Sequence, residues 1–430
     1  MHILKKMNNK KNLLKINKFL TDNNLLTSIQ RVNYYFDEPQ MFFYFTELNR
    51  KSKYFKNNVS KVSQEIYGSG SSFFDKETAL IKCLGEAIER LCQQTFQPSN
   101  IIYKRFSEIQ SPALDPAIHT ETDEIRNKKI GWIQAYNVKT NKKWLAPAQY
   151  AHYTFTDIQK EETITTLIST GGALGLTKKQ ALLSGLYELI ERDAFTTTYL
   201  IKAPVKKINI NSIHDEKIQI INKYLPKYLL EWHLFDISND LQIPTYLSFI
   251  IDRTGVGQAL SVGASSRLDH SEAILNSVTE ACMTRPWARA SLSNKNSIFA
   301  ILNTDRKRIQ QRIERAFYWF LPEKIQLVNF WLKKNPININ INSEKYTISQ
   351  QWEFLLKTID TSNLYYCDIT HDVLKKYGLY VYKVFDPYLN GLYLDENETR
   401  AAINPERLKQ VADFFGIKNY TLNPIPHPFL

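Results

Sequence analysis

The chain has 430 residues, 43% of them hydrophobic, enough to bury a large core, and no apolar run approaches the roughly 20 residues of a membrane-spanning helix. Its 55 basic and 43 acidic residues leave a formal net charge of +12. The lysines are dispersed apart from an N-terminal run and "DRKRIQQRIER", with no RNA-recognition signature or basic stripe interleaved with aromatics, so nucleic acid is not the expected partner.

In chain order, residues 1–26 read as one Lys-rich helix with apolar positions at Leu13, Leu14, Ile16, Phe19 and Leu20. A surface helix is expected there, with partner docking as the alternative for residues 1–60. The segment lacks a continuous apolar h-region and a small-residue cleavage site, which predicts a cytoplasmic protein. Beyond it, strand-like stretches ("MFFYFTEL", "WIQAYNV", "PTYLSFIID", "LYVYKVF") alternate with long amphipathic helices. That alternation predicts a mixed α/β (α+β) chain with sheets and helices in layers. No Gly/Ser or Pro linker interrupts the middle, so residues 61–430 are expected to form one large domain, with 301–360 as a helical insertion and 421–430 as a Pro-rich tail. Cys83, Cys92, Cys282 and Cys367 form no C-x-x-C pair, so they are expected to be buried and reduced.

Three passages share a layout: "GSGSSFFDKETALIKCLGEAIER" from Gly68, "STGGALGLTKKQALLSGLYELIER" from Ser169 and "VGASSRLDHSEAILNSVTEACMTR" from Val262. Each reads as a Gly/Ser turn followed by a helix. At about 100° per residue, Lys82, Glu86 and Glu89 share one stripe of the first helix, and Ser184, Glu188 and Glu191 repeat it in the second. In the third, Asn276 and Glu280 take the first two positions and Met283 stands at the last.

If the stripes converge, Glu86, Glu89, Glu188, Glu191 and Glu280 crowd a small space, and carboxylates that close cannot all stay ionised without cations. Hard oxygen ligands without cysteine or clustered histidine favour Mg²⁺, which in enzymes usually accompanies substrate phosphates. Arg90, Arg192 and Arg285 follow the glutamates and are candidates to neutralise phosphate oxygens. Turns containing Gly68 and Gly70 would offer backbone amides to an anion at a helix N-terminus. Neither a P-loop nor a protein-kinase motif set is present, so an ATP–Mg²⁺ site of another type is expected.

At this point the sequence resembles the YcaO family, ATP-dependent enzymes that activate peptide backbone amides. The family's nucleotide site reads S-x-x-x-E-x-x-E in two helices and Q-x-x-x-E in a third. This chain has K-x-x-x-E-x-x-E from Lys82 to Glu89, S-x-x-x-E-x-x-E from Ser184 to Glu191, and N-x-x-x-E from Asn276 to Glu280. "STGGALGLT", "ELIERDAF", "FDISNDLQIP" and "CDITHDVLKKYGLYVYKV" are also similar to family segments, and coverage runs from about Gly68 to the C-terminus. Lys82 and Asn276 depart from the pattern, as does Ser69, which stands where members often have lysine.

The resemblance implies a YcaO-type fold with ATP and Mg²⁺ as cofactors and the five glutamates as metal ligands. Lys82, Arg90, Ser184, Arg192, Asn276, Arg285, Gly68 and Gly70 are implied around the nucleotide. The implied reaction is cyclodehydration of a ribosomally made precursor peptide, in which a Cys, Ser or Thr side chain attacks a backbone amide whose oxygen is phosphorylated. Thioamide synthesis with external sulfide and a non-catalytic docking role are the alternatives. Pro424, Pro426 and Pro428 make a P-x-P-x-P ending similar to that of azoline-forming members, within which His427 is a candidate general base. Such a repeat predicts a stiff extended tail that helps place catalytic groups. The implied partners are the precursor peptide, an E1-like or winged-helix protein that binds its leader, and a flavin dehydrogenase in the same pathway. The state is either a homodimer or a hetero-complex.

Overall fold

The computed structural model describes every residue except 1, 33, 61, 63, 121, 166, 292–308, 342–344 and 398–402. It opens with helix α1 (His2–Asp22), strands β1 (Leu26–Arg31) and β2 (Phe42–Leu48), helix α2 (Lys53–Asn58), strand β3 (Tyr67–Ser72) and helix α3 (Lys76–Gln94). Strands β4 (Ile101–Lys104), β5 (Ile130–Asn137) and β6 (Lys143–Pro147), helix α4 (Phe155–Gln159), strand β7 (Gly172–Gly175) and helix α5 (Lys178–Leu200) follow. Next come β8 (Lys206–Ile208), α6 (Glu216–Tyr224), β9 (Leu230–Asp236), β10 (Thr245–Asp252), β11 (Leu260–Ser266) and α7 (His270–Ala290). Short helices α8 (Arg312–Tyr318) and α9 (Asn329–Leu332) precede α10 (Ile348–Thr358), β12 (Tyr365–Asp368), α11 (Asp372–Lys375), β13 (Tyr380–Phe385) and α12 (Pro405–Phe414).

The expected α+β layering is observed. The chain divides into two compact units interleaved in sequence: residues 1–32, 41–189 and 348–388 in the first, and 33–40, 190–347 and 389–430 in the second. One crossing falls inside the continuous helix α5, where no linker composition could mark it.

In the first unit, β1, β2 and β3 form a three-stranded antiparallel sheet. A larger antiparallel sheet runs β4-β5-β12-β13-β7, with β6 alongside β5. Helix α1 is part of this unit's core: Ile16, Phe19 and Leu20 are buried in the cluster that holds Leu84, Ile88 and Leu91 of α3. One face of α1 is thus packed into the core of the first unit, while β1 stays largely exposed.

In the second unit, β11-β10-β9-β8 form an antiparallel sheet. Every residue of β10, "TYLSFIID", is buried, which accounts for its nearly unbroken apolar run. Trp331 of α9 packs its ring 5.9 Å from Phe235 and 6.0 Å from Phe249. The Leu260 amide donates to the Trp319 carbonyl at 3.1 Å. The described part of the predicted 301–360 insertion is therefore integral to the fold, because Trp319 and Trp331 supply its core; residues 301–308 and 342–344 lie outside the described residues.

The three repeated passages fold as strand–helix pairs: β3 with α3, β7 with α5, and β11 with α7. Asp75 caps α3 by accepting the Thr78 amide at 3.0 Å, and Asp269 caps α7 through the Glu272 amide at 3.0 Å. The Gly/Ser stretches expected to be phosphate-cradling turns are mostly strand. A Cβ on Gly68 would fall 2.2 Å from the Cys83 carbonyl oxygen, and one on Gly70 would fall 2.3 Å from that of Ala79. These glycines let β3 lie directly on α3, so close packing, not helix-terminal anion binding, accounts for them.

Candidate active site

Each strand–helix pair is locked by the same contact. In the first, Glu86 Oε2 accepts the Ser69 amide at 2.6 Å and the Ser69 hydroxyl at 2.9 Å. In the second, Glu188 Oε2 accepts the Gly171 amide at 3.0 Å. In the third, Glu280 Oε2 accepts the Ala264 amide at 3.0 Å. One carboxylate oxygen of each glutamate thus holds its helix to its strand. The serine among the departures, Ser69, fastens Glu86 twice.

Helix α5 shows how narrow the polar stripe is. From Ala181 to Leu200 every residue is buried except Ser184, Glu188 and Arg192, spaced four apart on one line. On α3, Lys82 is exposed and Glu86 and Glu89 are half-buried, while Cys83, Leu84, Ala87 and Ile88 are buried. On α7, Asn276 and Glu280 are half-buried beside buried Ser277 and Ala281.

The first unit gathers Glu86, Glu89, Glu188, Arg90, Gln93 and Lys383. Arg90 is turned onto Glu86, with Nη2 at 2.7 Å and Nε at 3.0 Å, and its guanidinium lies 5.1 Å from the Tyr67 ring centroid. Burial pushes the Glu89 carboxyl well above the ordinary carboxylate range; the charges of Glu188 and Glu86 push the same way, against Arg90 and Lys383. That surplus of negative charge is what a divalent cation would relieve. Lys383, only 4% exposed, is lowered to about 8 by burial, opposed by Glu188 and Glu89. Its Nζ donates to Gln93 Oε1 at 3.2 Å and to the Ile168 carbonyl at 3.0 Å.

The second unit gathers Glu191, Arg192 and Glu280. Arg192 Nη1 lies 3.3 Å from Glu191 Oε1, and Nη2 lies 3.8 Å from Glu280 Oε1. The Phe429 ring, second from the C-terminus, lies 4.3 Å from the Arg192 guanidinium. The tail that places it there is pinned along its length. The Asn423 amide donates to the Leu200 carbonyl at 2.7 Å, the Tyr199 hydroxyl to the Pro426 carbonyl at 3.1 Å, and Arg315 Nη1 to the His427 carbonyl at 2.9 Å. Pro426 and Pro428 are buried and Pro424 is exposed.

Two expected roles are corrected. Arg285 is not aimed at phosphate: Nε and Nη2 meet Glu38 at 2.8 and 3.0 Å, Nη2 meets Asp252 at 2.8 Å, and Nη1 donates to the Gln258 carbonyl at 2.6 Å. It is 1% exposed and ties the 33–40 strap to α7 and β10. His427 is also 1% exposed, with Nε2 2.6 Å from the Tyr393 carbonyl oxygen. Burial and the Arg315 charge push its pKa well below the ordinary histidine value, so it packs as a neutral ring against Phe195 and Tyr393 and is not poised as a general base.

Sequence reasoning missed Lys383, Gln93 and Asp193. A lone lysine in the apolar run "YVYKVF" was the available signal for Lys383. Asp193, fully buried, receives Arg407 Nη2 at 2.8 Å, the Asn390 amide at 2.9 Å and Asn239 Nδ2 at 2.9 Å, anchoring the C-terminal half of α5.

Glu86 and Glu89 of α3, Glu188 of α5 and Glu280 of α7 thus stand half-exposed on the polar stripes of an α+β fold. Among the described residues no group of three His, Cys, Asp or Glu is pre-assembled for a metal. Mg²⁺ commonly draws most of its ligands from phosphates and water, so one or two carboxylates suffice. A family model described as "YcaO cyclodehydratase, ATP-ad Mg2+-binding" matches residues 69–390, and the chain belongs to the YcaO family. ATP and Mg²⁺ are accordingly its cofactors.

The fold is similar to that of a heterocyclase solved in complex with substrate and cofactor (TM-score 0.70, 15% identity, 96% of this chain and 57% of that one). It is also similar to YcaO from Methanopyrus kandleri bound with AMPPCP and Mg²⁺ (TM-score 0.65, 13% identity, 93% of this chain and 95% of that one). A third likeness is to the E. coli microcin synthetase McbBCD complex (TM-score 0.58, 14% identity, 93% and 96%). A curated relative, "Uncharacterized protein in tfuA 3'region" of Rhizobium leguminosarum bv. trifolii, is 24% identical over 262 residues, 56% of this chain and 58% of the relative. The chain thus spans little more than half of that relative and of the heterocyclase. Among the described residues no helix is long and apolar enough to cross a membrane.

Proposed function

We propose that this chain is an ATP- and Mg²⁺-dependent cyclodehydratase that makes thiazoline or oxazoline rings from Cys, Ser or Thr residues of a ribosomally made precursor peptide. The observation that carries the reading is the glutamate lock repeated in three strand–helix pairs, with Glu89 and Glu191 added one turn on. In each lock one carboxylate oxygen is committed to the backbone, which orients the other. Glu86, Glu89, Glu188, Glu191 and Glu280 are the proposed Mg²⁺ ligands. Lys82, Ser184 and Asn276, on the accessible stripes, are proposed to contact the nucleotide, as is Arg192. Arg90 orients Glu86, and Arg285 stays a structural anchor.

Bound ATP–Mg²⁺ would supply the phosphoryl group that turns the amide oxygen into phosphate, a far better leaving group. The chain's part is to hold the nucleotide and keep its charge compensated. The buried tail supports the azoline reading, because Pro426 to Phe429 are buried and the Phe429 ring lies over Arg192. The E1-like or leader-binding partner and a flavin dehydrogenase acting on the azoline remain part of this proposal.

The test is mass spectrometry of a Cys/Ser/Thr-rich precursor peptide incubated with the protein, a leader-binding partner, ATP and Mg²⁺. A loss of about 18 Da per event with matching phosphate release is expected. A gain of about 16 Da that depends on sulfide would overturn ring formation in favour of a thioamide made at the same nucleotide site.

A further inference from the structure

Behind Glu89 lies a buried hydrogen-bond relay. Gln93, one turn further along α3 and 0% exposed, donates from Nε2 to Glu89 Oε1 at 2.8 Å. Its other amide atom, Oε1, accepts from Lys383 Nζ at 3.2 Å. Lysine has three donors and no acceptor, so it can face only the oxygen of the Gln93 amide. That fixes which way the amide points and obliges its NH₂ to face Glu89.

The backbone makes room for the relay. In the sheet, Lys383 of β13 is paired with Gly172 of β7. A Cβ on Gly172 would fall 1.8 Å from Gln93 Nε2. The Gln93 amide therefore occupies the volume a side chain at 172 would need, next to the lysine that orients it. All four residues belong to the first unit.

We infer that Lys383 and Gln93 are positioning residues for Glu89: the lysine sets the Gln93 amide, and the amide occupies one Glu89 oxygen so that the other is presented to Mg²⁺. This deepens the proposed function and rests on its assignment of Glu89 as a metal ligand. Without Lys383 the amide is free to turn its oxygen toward Glu89, which would repel the carboxylate and spread its orientations.

The experiment is a double-mutant cycle read by the Mg²⁺ concentration needed for half-saturation with a non-hydrolysable ATP analogue, on wild type, K383M, Q93M and the pair. Thermal melts without ligand select the variants that fold. Each single substitution is expected to raise the Mg²⁺ requirement at least about ten-fold, and the pair to be no worse than the worse single, because both remove one relay. Gly172→Ala reaches the same device from the backbone, displacing Gln93 while leaving Lys383 and Glu89 in place, and is expected to match Q93M. Unchanged Mg²⁺ dependence in folded K383M or Q93M, or additive effects in the pair, would overturn the relay. Failure of the wild type to take up the analogue at millimolar Mg²⁺ would instead overturn the nucleotide site, and the relay with it.

Discussion

Glu188 does two things with one carboxylate: Oε2 holds the Gly171 amide, and the group sits on the thin accessible line of α5. A glutamine there can still accept the amide through its carbonyl oxygen, so the strand–helix lock survives while the charge is lost. Glu188→Gln is therefore expected to lower ATP turnover at least about 100-fold with an unchanged melting profile, and Glu191→Gln to behave alike. Phosphate release and circular dichroism measured together check this; full turnover in both variants would remove them from the site. Lys82, Ser184, Glu188 and Glu280 were readable from spacing, since helical periodicity puts them on stripes opposite apolar faces. The fate of Arg285 was not readable. Whether an arginine meets phosphate or Glu38 depends on a carboxylate 247 positions away, and no local pattern encodes that partner.

Strand–helix pairing explains why the same glutamate spacing recurs. β3, β7 and β11 are each the last strand of their sheet, so amides at that edge point away from the neighbouring strand, and a glutamate on the packed helix reaches one of them. The P-x-P-x-P ending is the other element with a consequence. Proline removes backbone donors, so the tail can be buried without unsatisfied amides at those positions. The Asn423 amide and the Pro426 and His427 carbonyls are met by Leu200, Tyr199 and Arg315 respectively. Deleting the last seven residues is expected to abolish azoline formation and lower the melting temperature, since Pro426, His427, Pro428 and Phe429 are buried. Phe429→Ala, which removes the ring over Arg192 and costs about 3–5 kcal/mol of stability, is the milder variant. Peptide mass spectrometry beside thermal melts reads both. Undiminished azoline formation by the truncated chain would show the tail to be ornamental.

For the molecule as a whole, acid exposes a stored cost, because two histidines are buried neutral in the first unit. His152 is lowered to about 3, chiefly by burial with help from His371, and His371 to about 4, again by burial. His371 is held by the Tyr54 hydroxyl at 2.7 Å. In the unfolded chain both return to about 6.5. Below that value the unfolded state binds protons that the fold refuses, so their stabilisation is complete above about pH 6.5 and is lost as pH falls toward 4. Urea midpoints are expected to fall steadily between pH 7 and pH 4.5; a flat profile would contradict the neutral burial of both rings. The amino-acid order alone specified the secondary-structure class, the three repeated helices and their carboxylate stripes, because those depend on residues a few positions apart. Contacts between distant segments were needed to split the chain into two interleaved units, bury the tail and His427, occupy Arg285 and bring Lys383 to Gln93. Such pairings follow from which buried charge finds a partner, a question that periodicity cannot answer.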